Sequence, residues 1–199
     1  MMELHVMSNG KWALPDFVSM ISPLHPHVSH VHIREKRRSA REIYDGVKGL
    51  KQGGVPGEKI IVNDRVDVAE SLGVRGVQLA YHSLDVAEVR KHFPRLRIGK
   101  SVHSREEAKQ AEEAGADYIV FGHVFSSTSK PDLPPKGLKA LQDLVDDIAL
   151  PVIAIGGITP DKVSSVRETG AAGIAVMSGV LEAENPRKAL LEYKKGWEI

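Results

Sequence analysis

The sequence predicts an α/β protein: a closed (β/α)8 barrel folded as a single domain over residues 1–199. Three observations lead there. Short apolar runs recur eight times with helical segments between them, the alternation expected of βα units around a parallel sheet. The runs are rich in Val and Ile, as strands buried on both faces should be. Eight strands within 199 residues fit a closed barrel better than an open doubly wound sheet.

In chain order the predicted strands are Leu4 to Met7, Val31 to Arg34, Ile60 to Asn63, Gly76 to Leu79, Arg97 to Val102, Tyr118 to Gly122, Val152 to Gly156 and Gly173 to Met177. The helices between them carry the 3.6-residue period, as in Ala108, Ala111, Glu112 and Ala114, or Ala189, Leu190, Tyr193 and Trp197. Ser104 to Glu107 reads as a capping box, and Gly53-Gly54, Gly115 and Gly170 stand where helices should end. Two segments break the pattern. Ile21 to His27 is a proline-rich turn after the first helix. Ser126 to Gly137 is polar, rich in proline and too long for an ordinary connection, so it reads as a flap.

Composition narrows the function classes. With 27 basic and 26 acidic residues the formal net charge is +1, and no like-charged block suggests a nucleic-acid or membrane partner. The absence of cysteine rules out disulfides and thiolate metal sites and suits the cytoplasm. No signal-like start and no apolar run of roughly 20 residues is present, so a cytoplasmic protein with no membrane partner is expected. Apolar residues on the outer helices could pair two copies as a homodimer.

The candidate chemistry lies at the carboxyl ends of the strands, where the loops of a parallel barrel converge. His123 ends an otherwise apolar strand, and an imidazole there could exchange protons near neutral pH. Gly156-Gly157-Ile158-Thr159 and Ser178-Gly179 follow the last two strands, the usual place for phosphate in such barrels. Gly157, Ser178 and Gly179 are therefore candidate phosphate residues, although paired glycines also make plain tight turns. Arg34 and Lys36 could bind a phosphate or carboxylate, or belong to a solvated run with Arg37 and Arg38. Ser101, Ser127, Ser129 and Lys130 could contact a ligand from the fifth strand and the flap. Asn63-Asp64 offers a carboxylate for a metal, or a helix cap. Among nine histidines, His30 and His32 have a compact spacing but no evident acidic partner, so no metal site is assigned.

With those residues assembled, the chain resembles the thiamin phosphate synthase superfamily along nearly its whole length. The matching stretches are His32 to Lys36, Val62-Asn63-Asp64 with Asp67-Val68-Ala69, Gly99 to His103, Gly115 to Tyr118, Pro151 to Ile158 and Ala175 to Ser178. The resemblance implies a TIM barrel binding a small-molecule thiazole phosphate at its last two loops. Two departures suggest a branch. Synthases of this family have a proline where this chain has His123, and an acidic magnesium ligand where it reads Tyr81-His82-Ser83. The second leaves the pyrophosphate apparatus incomplete, while the histidine, with Ser101 to Ser104 and Phe121 to Phe125, looks like the TenI branch, the thiazole tautomerases, in which this histidine is the acid/base. The expectation is thus an isomerase that aromatises a carboxythiazole phosphate by a proton shift at His123, with no cofactor. Lys36, Asp64 and Lys130 match synthase positions instead. They keep open a Mg²⁺-dependent synthase joining a pyrimidine pyrophosphate to thiazole phosphate, beside a non-catalytic module that binds thiamin metabolites.

Overall fold

A computed structural model describes residues 2–127 and 131–198. Eight strands, β1 (Glu3–Met7), β2 (His30–Ile33), β3 (Ile60–Asn63), β4 (Gly76–Leu79), β5 (Arg97–Val102), β6 (Tyr118–Gly122), β7 (Val152–Ile155) and β8 (Gly173–Val176), pair in parallel and in sequence order. β8 closes onto β1 with Leu4 opposite Ile174 and Val6 opposite Val176. The single-domain α/β barrel expected from the sequence is present, with strand ends within one residue of those predicted. Arg34, Gly156 and Met177 fall just outside their strands. At Gly156 the cause is plain, since its φ of 102° has left the extended region.

The surrounding helices are α1 (Leu14–Ile21), α2 (Ala40–Gln52), α3 (Val66–Ser71), α4 (Val86–His92), α5 (Arg105–Glu113), α6 (Gly137–Asp147), α7 (Val163–Glu168), α8 (Ser178–Leu181) and α9 (Pro186–Glu198). Ser104 caps α5 by accepting from the Glu107 amide at 3.1 Å. The Glu107 carboxylate reaches the His103 amide at 2.6 Å, one residue before the position a capping box requires. A complete capping box occurs at α2, where Ser39 and Glu42 satisfy each other's amides. The segment after α1 winds into a short 3-10 helix, Ser22–His27, because its prolines fix φ while removing the donors an α-helix needs.

Alternation along each strand divides the side chains between two environments. One set, including Val6, Val31, Ile33, Val62, Val77, Ile98 and Ile119, packs outward under the helices. The other fills the barrel, where Met7, Ile61, Tyr118, Val120, Ile153 and Ala175 form a smaller cluster. Gly99 makes room for Tyr118 inside. A Cβ there would lie 2.2 Å from Tyr118 Cζ and 2.4 Å from Gln78 Oε1. Replacing Gly99 with Ala is therefore expected to cost about 1–3 kcal/mol by overpacking. A fall in the urea midpoint with the slope unchanged would register this loss, and an unchanged midpoint would refute it.

Candidate active site

Two clusters face each other across the rim formed by the strand ends. On one side β3 ends in Asn63 and Asp64, the latter with φ of 65°, a left-handed conformation that Asp tolerates better than most residues. The Asp64 amide donates to Gln78 O at 3.0 Å, which holds the turn against β4. Its carboxylate accepts from the Ser83 hydroxyl and lies 3.2 Å from His82 Nε2. Ser83 also accepts from the Ala80 amide at 2.7 Å, and Lys100 Nζ from β5 donates to Ala80 O at 2.8 Å. Two loops and the β5 lysine are thereby fastened around one half-buried carboxylate. The helix-cap alternative for Asn63-Asp64 is excluded, since α3 begins after Arg65 and has no side-chain cap.

On the other side stands His123, only 6 % exposed, its Nε2 3.0 Å from Leu133 O in the flap. The Lys136 amide donates to His123 O at 2.9 Å and the Gly137 amide to Val124 O at 3.0 Å, so the far end of the flap is pinned back onto β6. The loop after β7 packs against the same strand end. Gly156 and Gly157 both have positive φ, and a Cβ on either would lie 2.2 Å from His123 Cβ or Ser126 O respectively. These glycines are thus required by close backbone approach, whatever else the loop binds. Gly179 lies under Tyr193, whose hydroxyl donates to Ile158 O at 3.0 Å and ties the last two loops together.

The other sequence candidates scatter between rim and interior. Ser178 starts the four-residue α8 and is half-buried. Arg34 is half-buried, with its amide held by Ser8 Oγ at 2.8 Å, whereas Lys36 is exposed. Between them Glu35 is buried and accepts from Arg38 Nε at 3.0 Å, so the charge run is partly internal. Ser101 points into the barrel and accepts from Gln78 Nε2 at 3.0 Å. Ser127 is half-buried at the start of the flap. Ser129 and Lys130 lie outside the described residues.

Sequence reasoning missed a polar column inside the barrel. Glu3 and His5 alternate on β1, and His30 and His32 on β2, so all four point inward. His5 Nε2 lies 2.9 Å from Glu3 Oε2, and His5 Nδ1 lies 2.9 Å from His32 Nε2. Arg97 Nη2 donates to both Glu3 oxygens at 2.9 Å, while Nη1 lies 2.7 Å from His30 Nε2. Burial pushes the Glu3 carboxyl up, but the His5 hydrogen bond and the Arg97 charge outweigh it and leave the group at about 2. Burial, then the neighbouring His5 and Arg97, brings His30 down to about 3. Burial likewise lowers His5 and holds His32 well below the ordinary imidazole range. Glu3, His5 and His30 are close enough together to suggest a metal, yet Arg97 already supplies the cation there. The readable signal was the i, i+2 spacing in two adjoining strands.

A closed parallel barrel of eight βα units, with a carboxylate turn on one side of its rim and glycine loops on the other, defines the class as a TIM barrel. The thiamine monophosphate synthase family matches residues 14–180, and the chain belongs to that family. It is 37% identical over 195 residues to thiamine-phosphate synthase of Pyrococcus furiosus, covering 98% of this chain and 94% of that one. A Desulfitobacterium hafniense thiamine-phosphate synthase is 40% identical over 175 residues, 86% of this chain and 84% of the relative. The solved thiamine phosphate pyrophosphorylase from Pyrococcus furiosus superposes with a TM-score of 0.85 at 35% identity, covering 99% and 96% of the two chains. These relatives overturn the isomerase expectation. Relatives at 34–47% identity carry the name of a synthase, a transferase, so the histidine at position 123 does not place this chain among the tautomerases.

Proposed function

We propose that this protein is a thiamine-phosphate synthase, joining a pyrimidine pyrophosphate to a thiazole phosphate with release of pyrophosphate. The observation that carries this reading is the near full-length similarity to proteins of that name. The rim supports it chemically. Departure of pyrophosphate concentrates negative charge, which fixed cations and donors must meet. Arg34, directly after β2, would supply one of them, and the β7 and β8 loops would suit the phosphate of the second substrate.

The family also implies Mg²⁺, and the donor set is compatible with it. Mg²⁺ commonly takes one or two carboxylates and completes its shell with water and substrate phosphate. Asp64 offers the carboxylate and Ser83 a hydroxyl already directed at it. When bound, the metal would neutralise part of the pyrophosphate charge. Ser83 stands where the family resemblance leads one to expect a second acid, so a single carboxylate carries the site.

The test is an assay of the purified chain with both substrates, following pyrophosphate and the condensed product. Equal amounts of the two should form, and only with Mg²⁺ present. Failure to form product at any Mg²⁺ concentration would remove the synthase reading.

A further inference from the structure

The polar column continues upward to the rim. Glu3 Oε2 meets His5 Nε2 at 2.9 Å, His5 Nδ1 meets His32 Nε2 at 2.9 Å, and His32 Nδ1 meets the Asn63 side-chain amide at 3.3 Å. Both rings are 0% exposed and each spends both nitrogens within the chain. Asn63 immediately precedes Asp64. The far end of its amide is not among the buried atoms lacking a partner, and among the described residues it makes no hydrogen bond, so it opens to the rim.

Counting protons fixes the direction of this chain. A carboxylate only accepts, so His5 Nε2 must carry hydrogen. Neutral His5 then has its lone pair on Nδ1, and His32 must donate from Nε2. That leaves a lone pair on His32 Nδ1, which only an amide N–H can satisfy. The two ends of an amide are nearly isosteric, and a half-turn brings Nδ2 rather than Oδ1 onto His32. An acceptor facing an acceptor accounts for the 3.3 Å contact being longer than the two 2.9 Å contacts below it.

We propose that Glu3, His5 and His32 are positioning residues that form a one-way hydrogen-bond chain, holding Asn63 with its nitrogen inward and its carbonyl oxygen toward the rim beside Asp64. The groups facing the chain favour this arrangement. Arg97 keeps Glu3 ionised and tilts against any second positive charge, while His30 and the buried Tyr118 flank His5 at ring-centroid distances of 4.6 and 5.8 Å. Burial also disfavours an imidazolium in either ring, which would let the chain run both ways. The catalytic consequence rests on the synthase reading; the direction of the chain does not.

Tautomers can be read directly by long-range ¹H–¹⁵N NMR of the whole chain labelled in histidine, with signals assigned through the His5→Asn and His32→Asn proteins. Both rings should carry hydrogen on Nε2. Hydrogen on Nδ1 of either, or an imidazolium at neutral pH, would overturn the proposal. Glu3→Gln should then reverse the chain. Arg97 demands an oxygen, so the new amide must keep Oε1 there and turn its N–H to His5. Both rings should switch to Nδ1–H and Asn63 should turn over, lowering kcat/KM for condensation roughly tenfold or more. Adding Asn63→Asp should restore most of it, because a carboxylate accepts from His32 and still shows the rim an oxygen. Tautomers that do not switch, a switch without loss of activity, or a loss that Asn63→Asp leaves unrepaired would each refute the positioning role. If the native chain forms no product, the synthase reading fails, and the tautomers still decide the direction.

Discussion

Acidification from pH 7 to pH 5 is expected to destabilise the protein steeply, before most carboxylates titrate. The cause is the set of imidazoles inside the barrel. His30 titrates at about 3 in the folded chain, and His5 and His32 are also lowered, all mainly by burial. Unfolded histidines bind protons near pH 6.5. Between those values the unfolded state holds more protons, so stability is full above pH 6.5 and falls as pH drops toward 3. Each such site contributes a slope approaching roughly 1.4 kcal/mol per pH unit. Glu3, at about 2, adds to the loss only at lower pH, below the ordinary carboxylate value of 4.5. Urea unfolding between pH 7 and pH 5 measures the effect, and the His32→Asn protein should show a shallower slope. A flat profile over that range would mean that the buried rings take up protons without unfolding.

Asp64→Asn should lower synthase turnover by about 10²- to 10³-fold, the usual range for losing a preorganised electrostatic group. The exchange keeps the shape, and Asn tolerates the φ of 65° as well as Asp does, so the fold should persist. What disappears is the carboxylate that ties the loop after β3 to the loop after β4. Ser83→Asp makes the converse change. Two carboxylates in contact repel one another without a cation, so this variant should require less Mg²⁺ for half-maximal activity. Mg²⁺ titrations of both variants check these outcomes. Wild-type turnover in Asp64→Asn would show that the metal, if required, is held elsewhere.

Much of the architecture was legible because local chemistry and tertiary demand agree. Apolar β-branched runs became strands, Ser104 capped its helix, and Gly115 and Gly170 turned out of theirs with φ of 88° and 81°. Interior polarity was less legible. Residues such as Val31, Ile33 and Val62 made the runs read as strands buried on both faces, but did not show that His32 and Asn63 enter the barrel and find partners there. Spacing can say that His30 and His32 share a face, but not that Arg97, 67 residues beyond His30, supplies the cation opposite them. The rim was misjudged for a similar reason. The substitution at position 123 was weighed as a branch marker, whereas the chain as a whole is related to synthases.

Periodicity, caps and turn residues therefore determined the order and type of the elements and the two phosphate-loop candidates, since these depend on neighbours within a turn or two of the chain. Tertiary structure alone decided that Asp64 takes Ser83 and His82, that His123 faces the flap backbone, and that four strands' polar residues meet along one axis. Each of those contacts joins residues from different strands or loops, and barrel closure sets their distances.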